Sequence, residues 1–205
     1  MKNLLTCCIS TLLICTLSTS WAQTDKTTAA FTTSYEKEYK KEYAAALASM
    51  KEVYDTKSYE LNLRMGWLSY EAGQNKESMG YYQLATDLMP YAIEAKLGMT
   101  YPAYALGNTT LLLSQYEKIL AIDPQNTTAN YKLGLIYYDK KDYAAANKYF
   151  EKVVNLYPFT YDALLMYAWT NYRLGKNREA KVLFTKVLWL YPTDKSALEG
   201  VGLIK

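Results

Sequence analysis

Residues 127–160 read TTANYKLGLIYYDKKDYAAANKYFEKVVNLYPFT, and the proline near the end of this stretch recurs along the chain. Pro90, Pro124 and Pro192 lie at multiples of 34 residues from Pro158. Aromatic columns keep the same step, one of them being Tyr70, Tyr104, Tyr138 and Tyr172 and another Tyr82, Tyr116, Phe150 and Phe184. The chain therefore contains an internal repeat, with copies at 59–92, 93–126, 127–160 and 161–194.

The apolar residues within each copy are spaced for helices. In the third copy, steps of three and four residues separate the apolar positions on both sides of Lys140-Lys141-Asp142. Each copy is thus predicted to be a helix, a short turn and a second helix that its proline terminates. The expected first helices are 59–72, 93–106, 127–140 and 161–174, and the expected second helices are 75–89, 109–123, 143–157 and 177–191. Short polar residues that can cap the second helices are Asn75, Asn108, Asp142 and Asn177.

The pattern resembles the tetratricopeptide repeat. The third copy carries the signature residues of that family at Leu133-Gly134, Tyr137, Ala146, Phe150 and Pro158. The resemblance covers residues 59–205 and implies an all-α fold, a right-handed α-solenoid of stacked helix pairs. It also implies a protein-interaction scaffold that binds a protein or peptide partner.

The two ends of the repeat array are predicted to be caps. Residues 195–205 begin a fifth copy and would form a C-terminal capping helix. Residues 34–58 are predicted to be an N-terminal capping helix or degenerate repeat, with one helix from Ser34 to Tyr54 and a solvated charged face. Residues 23–33 are predicted to be a flexible tail.

The N-terminal segment, residues 1–22, has the features of a secretory signal peptide. Lys2 precedes an uncharged apolar stretch from Leu4 to Leu17, and Ser20-Trp21-Ala22 suits cleavage after Ala22. The apolar stretch is short for a membrane span, which favours cleavage over an uncleaved anchor. Lipidation at Cys15 is the minority alternative. We therefore expect a periplasmic or secreted protein, in a bacterial envelope, with no stable membrane span after cleavage.

Composition argues against several classes of function. The chain has no histidine, and its formal charge of +3 comes from 23 basic and 20 acidic residues. A catalytic triad and a His-ligated metal are therefore excluded, and so weak a charge does not suggest nucleic-acid binding. We expect no enzyme activity, no metal and no cofactor.

In the family that the chain resembles, one stripe of each first helix supplies the concave face. The stripe consists of residues spaced i, i+4 and i+7, which lie on the same side of the helix. The resemblance places eight aromatic residues on this stripe as candidates for partner contact: Trp67, Tyr70, Tyr101, Tyr104, Tyr131, Tyr138, Trp169 and Tyr172. Packing between neighbouring repeats is the alternative role, above all for the tyrosine column that begins at Tyr70. Trp67 and Trp169 carry the stronger prediction, because tryptophan is costly to expose and frequent at binding hot spots.

The face so predicted would suit an extended peptide with apolar side chains. Acidic residues at its edges, such as Glu60, Glu94 and Asp162, favour additional basic side chains in that peptide. A small-molecule or glycan-binding module, in which Trp67 and Trp169 stack on the ligand, is the alternative function.

The second copy is predicted to be irregular. Thr100 replaces the small residue of the other copies, and Pro102 falls inside the first helix. We expect Gly98 to take over the close helix approach from Thr100.

Overall fold

The structure is a computed structural model that describes residues 25–204, and this part of the chain contains helices and no strand. The predicted all-α fold class is confirmed. The chain divides between Gly107 and Asn108 into two compact units. The division falls between the two helices of the second sequence copy.

The first unit contains five helices in its described part, of which the first occupies residues 25–39 and is α1. The others are α2 (Tyr43–Lys51), α3 (Tyr59–Glu71), α4 (Asn75–Leu88) and α5 (Ile93–Ala105). The second unit contains α6 (Thr109–Ile122), α7 (Thr127–Asp139), α8 (Tyr143–Leu156), α9 (Tyr161–Arg173), α10 (Asn177–Leu190) and α11 (Lys195–Leu203). A helix lies at each of the eight positions predicted for the four copies.

The turn inside a repeat needs one residue in the left-handed conformation. Gly73 and Gly175 hold this position with φ of 76° and 74°, which glycine adopts without a steric penalty. Lys141 holds it in the third copy with φ of 61°. Glycine therefore recurs at this turn because the backbone there is left-handed, and Lys141 adopts the same conformation.

The polar residues at these turns divide into two pairs. Asn108 and Asp142 accept hydrogen bonds from the backbone N–H groups of the residues three positions later, at 3.0 Å each, and so cap α6 and α8. The prediction that Asn75 and Asn177 cap their helices is wrong. Both are the first residues of their helices, and the capping positions before them make no side-chain cap bond.

The core of each repeat forms around one large ring of the second helix. Phe150 of α8 and Phe184 of α10 are fully buried, and Tyr82 of α4 is 3% exposed. Close helix approach depends on small residues against these rings: a Cβ at Gly134 would lie 2.6 Å from Phe150 Cε1, and one at Gly98 would lie 2.2 Å from Tyr82 Cε1. Gly98 thus makes a close approach, as expected, but to α4 of the preceding repeat.

The N-terminal region differs from its prediction. Residues 25–33, predicted to be a flexible tail, belong to α1, where Ala30 is buried and Phe31 packs against the core. The single helix predicted from Ser34 to Tyr54 is wrong, because a turn at residues 40–42 separates α1 from α2, with φ of 59° at Lys41. The two helices therefore form a helix pair of their own.

The loops before the first helices are held by buried polar side chains. Asn62 Nδ2 donates to the carbonyl oxygens of Thr56 and Ser58, at 2.9 and 2.7 Å. Asn130 makes the corresponding pair of bonds two repeats later, to the carbonyl oxygens of Pro124 and Asn126. These bonds close the inter-repeat loop onto the helix that follows it.

Residues 25–204 include no helix that combines the length and the apolar character of a membrane span. The predicted signal peptide at 1–22 lies outside the described residues.

Candidate functional site

Three of the predicted aromatic residues form a ring cluster in the first unit. Trp67 and Tyr70 of α3 contact each other and Tyr101 of α5, with ring centroids 5.5 to 5.8 Å apart. We call Trp67, Tyr70 and Tyr101 the Trp67 cluster. Tyr101 is 49% exposed, so the cluster is accessible to solvent at this ring.

A buried charge network anchors the Trp67 cluster to α1. The Trp67 indole N–H and the Arg64 guanidinium donate to the two different oxygens of the Glu38 carboxylate. Arg64 Nε also donates to Ser34 Oγ at 2.9 Å, and its guanidinium lies 3.9 Å from the centroid of the Tyr35 ring. Glu38, which we expected on a solvated face, is therefore a structural residue that joins α1 to α3.

A cavity of about 310 Å³ lies in the second unit and is open to solvent. It is formed by α7, α9 and α11, and we call it the Trp169 cavity. Its lining residues are Tyr138, Met166, Trp169, Tyr172, Arg173, Glu199 and Leu203.

Trp169 is held at this cavity from three directions. Its Nε1 donates to Ser196 Oγ of α11 at 2.8 Å. Its ring makes edge contacts with Phe184 of α10, at a centroid distance of 4.9 Å, and with Tyr172, at 5.7 Å. These contacts restrict the indole to one orientation, so a ligand would meet a preformed surface.

Opposite charges border the Trp169 cavity. Arg173 is the last residue of α9, and interaction with the Tyr138 hydroxyl raises the pKa of its guanidinium above the ordinary value. Glu199 lies on α11, and both charged side chains are exposed. Neither forms an ion pair with a described side chain.

The remaining predicted residues are less closely tied to these surfaces. Tyr131 packs its ring against buried Phe150, at 5.9 Å, and burial raises the pKa of its hydroxyl. Tyr104 is 79% exposed and lies outside the ring contacts of the Trp67 cluster. The structure thus brings Trp67, Tyr70 and Tyr101 together in one unit and Tyr138, Trp169 and Tyr172 in the other. Partner contact by these residues stays a prediction.

The sequence interpretation missed Glu199 and Leu203, although the pattern contained them. They lie 34 residues after Leu165 and Trp169, two residues of the stripe on the first helix of the fourth copy. The predicted stripe covers the four complete copies. Extending it into the partial fifth copy would have placed both residues beside Trp169.

No cluster of three or more Cys, Asp or Glu side chains that could hold a metal ion occurs in the part of the chain that the structure describes.

Comparison with known families agrees with this architecture. Family models described as tetratricopeptide repeat match residues 127–159 and 162–194. The chain contains tetratricopeptide repeats. Proteins with such repeats bind protein partners, which makes an interaction scaffold the class of function that the fold supports.

Solved structures share the fold at low sequence identity. A tetratricopeptide repeat protein from Parabacteroides merdae ATCC 43184 superposes with a TM-score of 0.74 at 22% identity, over 88% of this chain and 72% of that one. MamA from Desulfovibrio magneticus RS-1 superposes with a TM-score of 0.70 at 21% identity, over 83% of this chain and 98% of that one.

A curated relative is Anaphase-promoting complex subunit 7 of Arabidopsis thaliana, which is 24% identical over 169 residues. The match covers 80% of this chain and 30% of the relative, so the chain spans less than a third of that protein's length.

Proposed function

We propose that the protein is a non-catalytic interaction scaffold of the cell envelope that binds an extended peptide or partner segment. The contact residues would be the Trp67 cluster in the first unit and the Trp169 cavity in the second. Helix-pair repeats serve as extended binding surfaces in many proteins, which supports this class of function.

The observation that carries the proposal is the open Trp169 cavity. Its lining combines tryptophan, tyrosine and arginine, the residue types that dominate binding hot spots. Its volume of about 310 Å³ is at the small end of the range for ligand pockets. Such a cavity suits one or two side chains of a longer partner better than a whole small molecule.

The contacts of the tryptophans favour a peptide over a glycan. A stacked sugar needs a free indole face and gains from the indole N–H as a donor. Both N–H groups already donate inside the protein, to Glu38 and to Ser196. The Trp169 ring is also partly covered by Phe184.

A peptide-display selection on the purified chain tests the binding function. We expect peptides rich in apolar residues to be enriched, and Leu203→Lys to abolish their binding because it places a charge at the cavity. Leu198→Lys is the matched control, since Leu198 lies on the same helix and is 50% exposed, against 49% for Leu203, without lining the cavity. Equal binding by both variants would rule out the Trp169 cavity as the contact surface.

The envelope location rests on the sequence of residues 1–22. N-terminal sequencing of the protein recovered from the periplasm or medium of an expressing bacterium is expected to begin at Gln23. A start at Met1, or a lipid on Cys15, would refute cleavage after Ala22.

A further inference from the structure

The charged side chains of Arg173 and Glu199 come from different helices and both line the Trp169 cavity. Arg173 ends α9, whereas Glu199 lies near the middle of α11, three residues after the Ser196 that binds Trp169. Residues three apart on a helix share a face, so Glu199 is on the side of α11 that meets Trp169. Because the two charges do not pair with described side chains, each is available to a ligand.

We propose that the Trp169 cavity selects a peptide in which an apolar side chain lies between one acidic and one basic side chain. One large apolar side chain enters the cavity, a carboxylate of the same peptide pairs with Arg173, and a basic side chain pairs with Glu199. The inference rests on the proposed function and names the chemistry of the partner segment.

The surroundings of Arg173 favour a carboxylate. Its guanidinium lines the cavity together with Tyr138 and Tyr172 and has no carboxylate partner among the described residues. A guanidinium carries five N–H groups and no acceptor. A guanidinium with free donors matches the bidentate geometry of a carboxylate.

The surface between the two charges favours an apolar anchor. Met166, Trp169 and Leu203 line it, and they offer large apolar area with adaptable thioether and aliphatic groups. A side chain such as phenylalanine or leucine would bury against them. The two flanking charges would then favour a peptide with one charge of each sign around this anchor, since a peptide with two like charges would place one of them against a like charge of the cavity.

Three synthetic peptides test the proposal. All carry a central phenylalanine flanked through alanine spacers by two charged residues, which are aspartate and lysine, two aspartates or two lysines, with a set of spacer lengths for each. Titration calorimetry with the full chain is expected to show that the mixed-charge peptide binds about tenfold more tightly than either like-charged peptide, since hydrogen bonds between charged groups are worth this much. The variant Arg173→Glu is expected to make the two-lysine peptide the tightest binder.

A matched charge reversal serves as the control. The variant Arg178→Glu makes the same change in charge on an exposed residue of α10 that does not line the cavity. It is expected to retain the preference of the unmodified chain, and circular dichroism tests whether both variants are folded.

The possible outcomes separate this inference from the function on which it rests. If the three peptides bind equally, and Leu203→Lys still abolishes binding, charge selection is refuted and the peptide-binding function stands. If Arg173→Glu leaves the preference unchanged, charge selection at this cavity is also refuted. If none of the peptides binds at any spacer length, the proposed function of the cavity fails together with the inference.

Discussion

Replacing Gly98 by alanine is expected to destabilise the first unit, because the ring of Tyr82 occupies the space that the methyl group needs. The new Cβ would lie 2.2 Å from Tyr82 Cε1 and 2.5 Å from its Cζ, whereas ordinary contact begins at 3.4 Å. The helix or the ring must therefore move by more than 1 Å.

The ring cannot move away freely. It is 3% exposed, and on its other side a Cβ at Gly66 would lie only 3.0 Å from the same ring. Overpacking of this kind costs about 1–3 kcal/mol. Alanine gains up to about 1 kcal/mol over glycine within a helix. The net loss for Gly98→Ala is therefore expected to be up to about 2 kcal/mol.

The matched control is Gly80→Ala, in α4 of the same unit. Nothing lies within 4 Å of a Cβ at Gly80, so this variant is expected to be up to about 1 kcal/mol more stable than the unmodified chain. Urea unfolding followed by far-UV circular dichroism measures both variants, with the slope of the transition compared as well as its midpoint. A midpoint for Gly98→Ala equal to or above that of Gly80→Ala would refute the close packing of Tyr82 between α3 and α5.

Three further predictions concern polar contacts. Glu38→Gln is expected to lower the free energy of unfolding by about 1–3 kcal/mol, because it removes the charge that a buried guanidinium faces; an unchanged urea midpoint would contradict this. Asn62→Ala is expected to lower the free energy of unfolding by about 2 kcal/mol and Asn130→Ala by about 1 kcal/mol. The reason is that the Oδ1 of Asn62 accepts a hydrogen bond, whereas the buried Oδ1 of Asn130 has no partner among the described residues. The same urea titration ranks the two variants. The hydrogen bond to Asp194 raises the pKa of Tyr161 to about 12. The contribution of this hydrogen bond to stability is thus present below pH 10, the ordinary tyrosine pKa, and is lost as the pH rises toward 12. Over this interval the melting temperature of the variant Tyr161→Phe should therefore fall less steeply than that of the unmodified chain.

Much of the helix pattern could be predicted from local sequence. The recurring proline ends each second helix because it lacks an N–H and fixes φ, and this is a property of the residue itself. The turn inside each repeat likewise depends on one left-handed residue, which Gly73, Gly107 and Gly175 supply.

The N-terminal error also has a local origin. Lys40-Lys41-Glu42 closely repeats Lys140-Lys141-Asp142, which lies at the predicted turn of the third copy. Lys41 and Lys141 adopt φ of 59° and 61°. The sequence therefore contains the residues of a turn between two helices near the start of the chain. The left-handed position of this turn is occupied by a lysine, and lysine is also common inside helices, so it does not by itself indicate a turn.

The roles of the stripe residues could not be predicted in the same way. A stripe places Trp67 and Trp169 on one face of a helix, yet it does not say what that face meets. Trp67 bonds to Glu38, 29 residues earlier, and Trp169 bonds to Ser196, 27 residues later. These partners lie on the first helix of the neighbouring pair, so they come into reach only when the pairs pack.

The sequence by itself determined the repeat, the positions of eight helices and the face on which aromatic side chains collect, because each depends on residue type and spacing within one helix pair. Only the tertiary structure decided which of those side chains are used for packing and which border open space. It packed Tyr131 against Phe150 and placed Arg173, Glu199 and Leu203 around Trp169. The physical reason is that a cavity exists only where side chains from several helices converge, and this convergence depends on how close the helices approach.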